Sequence, residues 1–371
     1  MKKPGRSYWE RELYNQVYDL VVVGAGLTGQ SLALFFKRKH PEANVLVVDR
    51  GFYPLGASTR NAGFACFGSV TEHVSDMQIE DEAKIIDRIR RRHEGLNLLR
   101  ETLGDANIQY EEPGGYEIFT DEASYQQAVA NIDLCNSWLE KATGVRNVYH
   151  ATKYEGYPAI KIEMEGALHP GKMVNTLYIK NLKEGVKFRW QNKVKSIDTE
   201  EAIVRLEGGI TLESKHIAVA TNSFTPELMQ DVNIEAGRGY VFVTKPVTNL
   251  RWKGTFHYDR GYYYFRNIGE DRLLLGGARS IDIEKETTRD FGVNQKVKEH
   301  LMEFANDILS LPESWEIEQE WSGIMGFTET KSPVLKKIGS SSLIVAGLSG
   351  MGVALGMQLG KEGAGIISNW L

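Results

Sequence analysis

Near the start of the chain, Gly24-Ala25-Gly26-Leu27-Thr28-Gly29 has the spacing of a phosphate-binding turn, and Asp49 lies twenty residues beyond it. Gly24 permits a tight turn, Gly26 lets a pyrophosphate approach the backbone, and Gly29 lets a helix and a strand pack closely. A helix starting there would offer unpaired N–H groups and the positive end of its dipole to phosphates. Asp49 would accept hydrogen bonds from ribose hydroxyls. The elements needed to position these residues are legible around them. Tyr18–Val23 is a β-branched run that predicts a strand buried on both faces. Gln30–His40 predicts a helix ended by Pro41, with Lys37, Arg38, Lys39 and His40 at its negative end. Val45–Val48 predicts a second buried strand. The arrangement implies a dinucleotide site, against the alternative of a glycine turn used only for packing. On its own it does not separate FAD from NAD.

Two further segments carry chemistry. Gly56-Ala57-Ser58-Thr59-Arg60-Asn61-Ala62-Gly63-Phe64-Ala65 is small, polar and rich in donors. It suits a loop draped along an extended cofactor, and equally a solvated surface loop. At the far end, Ser342–Ala346 predicts a strand, Gly347-Leu348-Ser349-Gly350-Met351-Gly352 a second glycine turn, and Val353–Trp370 a helix. This repeats the first layout without an acid for a second ribose. A second helix N-terminus is what a flavin ring would use, because reduced flavin carries negative charge near N1.

The whole chain bounds these readings. Its 371 residues exceed one ordinary core, so two domains are expected, and the absence of long linkers predicts that they interleave. A net charge of −5 gives no electrostatic reason to bind nucleic acid. Only Cys66 and Cys135 occur, which excludes a disulfide scaffold and suits a reducing compartment. No apolar run approaches the roughly 20 residues that a bilayer requires. The basic start, Met1–Arg6, is followed by no apolar signal segment, so a cytoplasmic location is the expectation. None of the eight histidines shows metal-ligand spacing.

In the order Gly24–Gly29, Gly56–Gly63, Gly166-Ala167-Leu168-His169-Pro170, Ala220-Thr221-Asn222-Ser223, Gly237-Arg238-Gly239, Trp321-Ser322-Gly323 and Gly347–Gly352, the chain resembles the D-amino-acid oxidase, glycine oxidase and sarcosine oxidase group of flavoenzymes. Among subgroups it resembles most the amine and gamma-glutamylputrescine oxidase-like members. The resemblance implies non-covalent or tethered FAD in an α/β Rossmann-like domain, discontinuous in sequence, plus an α+β substrate domain with an antiparallel sheet. Gly24, Gly26, Gly29 and Asp49 would hold the adenosine half. Ser58, Thr59, Arg60, Asn61 and Gly63 would line the pyrophosphate and flavin. Val194 would set its backbone against the adenine, and Gly350, Met351 and Gly352 would meet the pyrimidine edge. The implied set also takes in Ala25, Leu27, Thr28, Arg50, Ala57, Thr221, Gly347 and Ser349.

The domains are read as an N-terminal extension (1–15), an FAD domain (16–75, 165–235 and 325–371) and a substrate domain (76–164 and 236–324). Ile79–Leu103 predicts a long amphipathic helix with Ile79, Ala83, Ile86, Ile89, His93, Leu96, Leu99 and Leu103 on one face, and Arg88, Arg91 and Arg92 on a solvated one. Tyr116–Phe119 predicts a strand and Tyr125–Glu140 a helix. Tyr240–Lys245, Gly254–Tyr258, Tyr262–Arg266 and Leu273–Gly277 predict an antiparallel sheet, which in the resembling family roofs the flavin. Alternation puts Tyr262 and Tyr264 on one face and Tyr263 on the other. Each tyrosine could serve in packing or reach the substrate, and Tyr264 is the choice for the latter.

Two departures from the family matter. Where glycine and D-amino-acid oxidases place an arginine that clasps the substrate carboxylate, the segment Gly323–Thr328 places Met325. A plain α-amino acid then loses its anchor unless Arg60, Arg266 or Arg279 substitutes. Met325 also replaces the cysteine by which sarcosine oxidases tether FAD, so the FAD is expected to be non-covalent, with Cys66 a buried thiol. No lysine occurs in His257–Asn267, which leaves oxygen and other electron acceptors both open. The reaction expected is oxidation of an amine or amino-acid C–N bond by hydride transfer to flavin N5, with Tyr264, Arg60 and Met325 at the substrate. The rival readings are an NAD-dependent dehydrogenase, and a flavin-fold module acting in RNA modification or with a protein partner.

Overall fold

The computed structural model describes residues 7–14, 16–230 and 232–370. Of the N-terminal extension, residues 1–6 and 15 lie outside the described residues, and the remainder contains helix α1 (Tyr8–Tyr14). The basic start at Met1–Arg6 likewise lies outside them. No helix among the described residues is long and apolar enough to cross a membrane.

The glycine turn is framed as the sequence predicts, by β1 (Val17–Val23), α2 (Leu27–Lys39) and β2 (Val45–Val48). The strand β1 is buried on both faces. Val21 and Val23 point into one apolar cluster, Leu20 and Val22 into another. The chain then forms α3 (Ala57–Arg60), β3 (Phe64–Ala65), α4 (Val70–Asp76), α5 (Glu82–Leu103), β4 (Gly115–Ile118), β5 (Tyr149–Tyr154), β6 (Tyr157–Ile162) and β7 (Gly166–Ala167). After the helix Pro170–Lys183 come β8 (Lys187–Arg189), β9 (Val194–Asp198), β10 (Ile203–Leu206), β11 (Thr211–Val219), β12 (Glu235–Thr244), β13 (Thr255–Tyr258), β14 (Tyr263–Ile268) and β15 (Arg272–Gly277). The helix Gln295–Asp307 precedes β16 (Ile317–Phe327), β17 (Val334–Ile338) and β18 (Ser342–Ala346), and the chain closes with the helix Gly352–Ser368.

Two large sheets result. The first runs β17-β18-β11-β1-β2-β8, with β9 and β10 attached through β11. Its centre is parallel: β11 lies between β1 and β18, so residues from both ends of the chain share one layer. The second runs β16-β12-β15-β14-β13-β4-β6-β5. It is antiparallel except where β13 meets β4 in parallel. One face packs Phe242, Phe256 and Phe265 against Trp252 and the Gln295–Asp307 helix. The other face presents Val241 and Leu274 toward Ala62. Strand β16 belongs to the second sheet as far as Phe327, so the position between 324 and 325 falls inside one strand.

Several local expectations are corrected. The Gly56–Gly63 segment is not all loop, because Ala57–Arg60 forms a helical turn. The long helix starts at Glu82, where Asp81 accepts from the Lys84 N–H at 2.9 Å, which leaves Ile79 and Ala83 exposed outside the buried face. Tyr125–Glu140 is broken at Ala130–Asn131 into two helices, Glu122–Val129 and Ile132–Thr143. Arg88 and Arg92 are buried rather than solvated, because α4 folds back and delivers acids to that face. Arg88 pairs with Asp76 at 2.5 Å and with Glu80, and Arg92 with Glu72 at 3.1 Å. Arg91 is half-buried and reaches Glu362 of the C-terminal helix at 2.7 Å.

Candidate active site

Gly24 ends β1 with φ +105°, and a Cβ there would stand 2.6 Å from the Ala220 carbonyl oxygen. Only glycine lets the ends of β1 and β11 meet so closely. A Cβ at Gly29 would lie 2.0 Å from the Gly24 oxygen, which fixes α2 tightly against the turn. Gly26 supplies no side-chain cap to α2. The first-turn Leu27 N–H donates to Ser58 Oγ at 2.9 Å, tying α3 to this terminus. The C-terminal helix is similarly without a side-chain cap at Met351. Its Gly356 and Gly360 lie against α2, where a Cβ would come within 2.9 Å of Leu27 and 2.6 Å of Ser31. Two helix N-termini are thereby held side by side, each with orphan N–H groups and a positive dipole end.

Both termini open onto one cavity of about 1120 Å³ that runs between the two sheets. At one end are Asp49, Arg50 and Val194. Asp49 accepts from the Ala25 and Gly51 N–H groups, each at 2.8 Å. Burial pushes its carboxyl above the usual range against the pull of those two bonds. In the middle lie Gly24, Gly26, Leu27 and Thr28, with Ala57, Ser58, Asn61 and Gly63 opposite. Thr221, beside Gly24, and Ser349, Gly350, Met351 and Gly352 at the second helix terminus also line the cavity. Four residues singled out from sequence stand behind this wall. Ala25 and Gly29 act as described. Thr59 donates to the Pro54 carbonyl at 2.6 Å. Gly347, at φ +77°, donates its N–H to Asn222 Oδ1 at 3.0 Å.

The second sheet closes the cavity from above with Tyr264, Met325 and Gly239. Alternation along β14 holds: Tyr263 is buried and bonds His300 at 2.8 Å, while Tyr262 and Tyr264 face the cavity. Burial pushes the Tyr264 phenol up to about 12, so it remains protonated at neutral pH. Arg60 also lines the cavity, but its guanidinium is spent on the Leu55 and Ser322 carbonyls, each at 2.9 Å. Arg266 donates to the Leu168 carbonyl at 3.1 Å.

Sequence reasoning missed a buried pair on the cavity wall. His257, on β13, bonds Glu165, in the segment just before β7, at 2.7 Å, beside Phe64. Burial pulls the imidazole pKa down, but Glu165, Glu117 and Glu72 together outweigh it and hold the group above its ordinary 6.5. Ninety-two residues separate the partners in sequence, so only the adjacency of Glu165 to the Gly166–Pro170 signpost could have hinted at it. Also missed was Lys331, on the cavity wall, which pairs with Asp76 at 2.5 Å.

The donor set fits FAD. Thr28, at the α2 terminus, keeps a buried hydroxyl without a hydrogen-bond partner among the described residues. The α2 terminus suits a pyrophosphate, Asp49 a ribose, and the second terminus the electron-rich edge of a flavin. A nucleotide-binding βαβ unit, two open helix termini on one cavity and an antiparallel roof define a flavin-dependent redox protein. The FAD-dependent oxidoreductase (DAO) family matches residues 19–365, and the chain belongs to that family. It is thus an FAD-dependent oxidoreductase.

Solved structures share the fold. Iminodiacetate oxidase from Chelativorans sp. BNC1 is similar with a TM-score of 0.77 at 16% identity, covering 94% of this chain and 95% of that one. L-proline dehydrogenase from P. horikoshii gives 0.75 at 17% identity, with coverage of 95% and 94%. Glycine oxidase from Bacillus cereus ATCC 14579 gives 0.73 at 18% identity, with 95% of each chain covered. No curated protein matches the chain.

Proposed function

We propose that this chain oxidises the C–N bond of an amine or amino acid, with FAD held non-covalently. The observation that carries the reading is the single cavity joining Asp49 and both helix termini to the neutral roof of Tyr264 and Met325. The similar structures include enzymes named for glycine, proline and iminodiacetate, all compounds with a C–N bond. Bound FAD would supply a two-electron acceptor for hydride from the amine-bearing carbon, and water would hydrolyse the resulting imine. The protein positions and desolvates the amine. Met325 offers an apolar, polarizable surface, and Tyr264 offers a phenol that stays protonated near neutral pH. An amine under this roof loses water, which favours the neutral form whose carbon can release hydride. The division into an FAD domain (16–75, 165–235, 325–371) and a substrate domain (76–164, 236–324) belongs to the same proposal, as does likeness to gamma-glutamylputrescine oxidase-like members.

Met325 has no nucleophile with which to tether a flavin, and Cys66 is buried with its thiol pushed well up by burial and by Glu165 and Glu72. It remains a thiol rather than the thiolate that forms covalent bonds. Anaerobic mixing with a panel of amines and amino acids, followed by admission of oxygen, tests the reading. Bleaching of the flavin by an amine supports it. A panel that leaves the flavin oxidised throughout contradicts it. Acid precipitation should leave all yellow colour in the supernatant, whereas colour in the pellet would point to Cys66.

A further inference from the structure

Glycines at 237 and 239 leave two notches in the roof, on the face of β12 that looks into the cavity. Met325 lies directly opposite Gly237 in the β12–β16 register, so both positions face the same side. A Cβ on Gly239 would meet Met325 Cε at 3.1 Å and the Tyr264 hydroxyl at 3.8 Å. A Cβ on Gly237 would meet Arg279 Nη1 at 2.3 Å and the Phe327 ring at 2.5 Å. The first notch accommodates the neutral part of the roof, the second a guanidinium.

Arg279 is placed with care. It follows β15 directly after Ala278, a non-glycine residue at φ 55° that turns the chain. Its Cζ sits 4.2 Å from the centroid of the Phe327 ring, which fixes the plane of the guanidinium. Nη1 is buried and has no hydrogen-bond partner among the described residues. Burial lowers its affinity for a proton against the weaker pull of Tyr262, Glu235 and Glu286, and among the described residues none of these forms an ion pair with it. Most other cations along the cavity are engaged with oxygens: Arg60 with two carbonyls, Arg289 with the Ser223 carbonyl at 2.6 Å, Lys331 with Asp76, Lys193 with Glu207 and Arg260 with Asp259, while Arg50, at the Asp49 side of the cavity, stacks on Phe224. A half-buried cation with one buried, unused donor costs stability unless something completes it, and a carboxylate completes a guanidinium best.

We propose that Arg279 anchors a carboxylate of the substrate, and that this carboxylate lies several bonds from the carbon that is oxidised. The spacing argues for the second part. Gly237 and Gly239 are two residues apart on one strand, so their notches are separated by roughly 7 Å. An amine under Tyr264 and Met325 therefore reaches Arg279 only through a spacer; an α-carboxylate is too close. The substrate class is an amine with a distal carboxylate. The inference rests on the amine-oxidation reading for the position of the reacting carbon, but not for the anion site itself.

The FAD-loaded protein separates the two ideas. Pentanoate, which has no amine to oxidise, is titrated against the flavin absorption band in wild type, R279M and R279K. Pentanoate should bind wild type, weaken by about tenfold or more in R279M, and recover in part in R279K, with FAD content unchanged. G237A should mimic R279M, because its methyl group occupies the place of Nη1. Then 4-aminobutanoate, butylamine and glycine are compared in anaerobic reduction. Wild type should favour 4-aminobutanoate, and R279M should lose that preference over butylamine. Equal pentanoate affinity in wild type and R279M overturns the anion site. A wild-type preference for glycine, or one for 4-aminobutanoate that survives in R279M, overturns the distal-carboxylate assignment. Arg279-dependent pentanoate binding with no amine reducing the flavin supports the anion site and removes amine oxidation instead.

Discussion

Asp49 supports its own loop through the Ala25 and Gly51 N–H groups while its remaining lone pairs face the cavity. Asp49→Ala removes one or two charge-assisted bonds to a ribose, each worth about 1.5–3 kcal/mol. FAD affinity should fall by about tenfold or more in a reconstitution titration; an unchanged dissociation constant would show that the ribose is held elsewhere. His257 makes a different, pH-dependent contribution. Its folded-state pKa is raised above 6.5, so the native state binds the proton more tightly than the unfolded chain does. The stabilisation is complete below about 6.5 and is lost as pH climbs through the folded value. Thermal unfolding of wild type and His257→Gln should therefore differ most on the acid side and converge at alkaline pH. A difference that widens with rising pH would contradict the assignment of charge to this pair.

At the scale of elements, the contact between α2 and the C-terminal helix sets where the two helix termini lie. Gly360→Ala gains about 1 kcal/mol in helix propensity but forces a methyl group to within 2.6 Å of Ser31 Cβ and 2.7 Å of the Thr28 oxygen. Overpacking costs about 1–3 kcal/mol, so the net effect should be a lower Tm and weaker FAD binding. Gly365, on the same helix, has nothing within 4 Å of a built Cβ. Gly365→Ala should raise the Tm, and a fall in that variant would refute the packing account. The β1–α2–β2 unit was legible because every signal for it is local: an apolar run, three glycines and an acid in one short stretch. The tyrosine alternation on β14 was legible for the same reason. The burial of Arg88 and Arg92 was not, since the acids that permit it arrive on α4 and the turn after it, through a reversal that no periodicity announces. The His257–Glu165 pair and the unpartnered Nη1 of Arg279 depend on how segments distant in sequence, outside the strands themselves, meet the second sheet. The sequence could offer Arg279 only as one of three arginines; Arg60 is bonded to two carbonyls, and Arg266, though its Nε is also unpartnered among the described residues, bonds the Leu168 carbonyl and does not line the cavity.

Across the whole molecule, the cavity is walled by both sheets, so a ligand that fills it couples them. FAD binds the folded chain and not the unfolded one, and should raise stability by about 2.7 kcal/mol at a hundred times its dissociation constant. The Tm should climb with the logarithm of added FAD; a flat response would mean that the cofactor does not bridge the sheets. The position of β18 beside β11 has a further consequence, for biosynthesis. Roughly 300 residues lie between the two glycine turns, and at about 5–20 residues per second the ribosome needs roughly 15–60 s to deliver the second after the first. Throughout that interval α2 lacks the helix that covers it, and over its last part, once β11 has been made, β11 waits with an open edge for β18. The nascent chain thus carries an uncovered apolar helix face for most of its synthesis, and yield in cells should depend on holdase capacity and riboflavin supply more than the stability of the finished enzyme suggests.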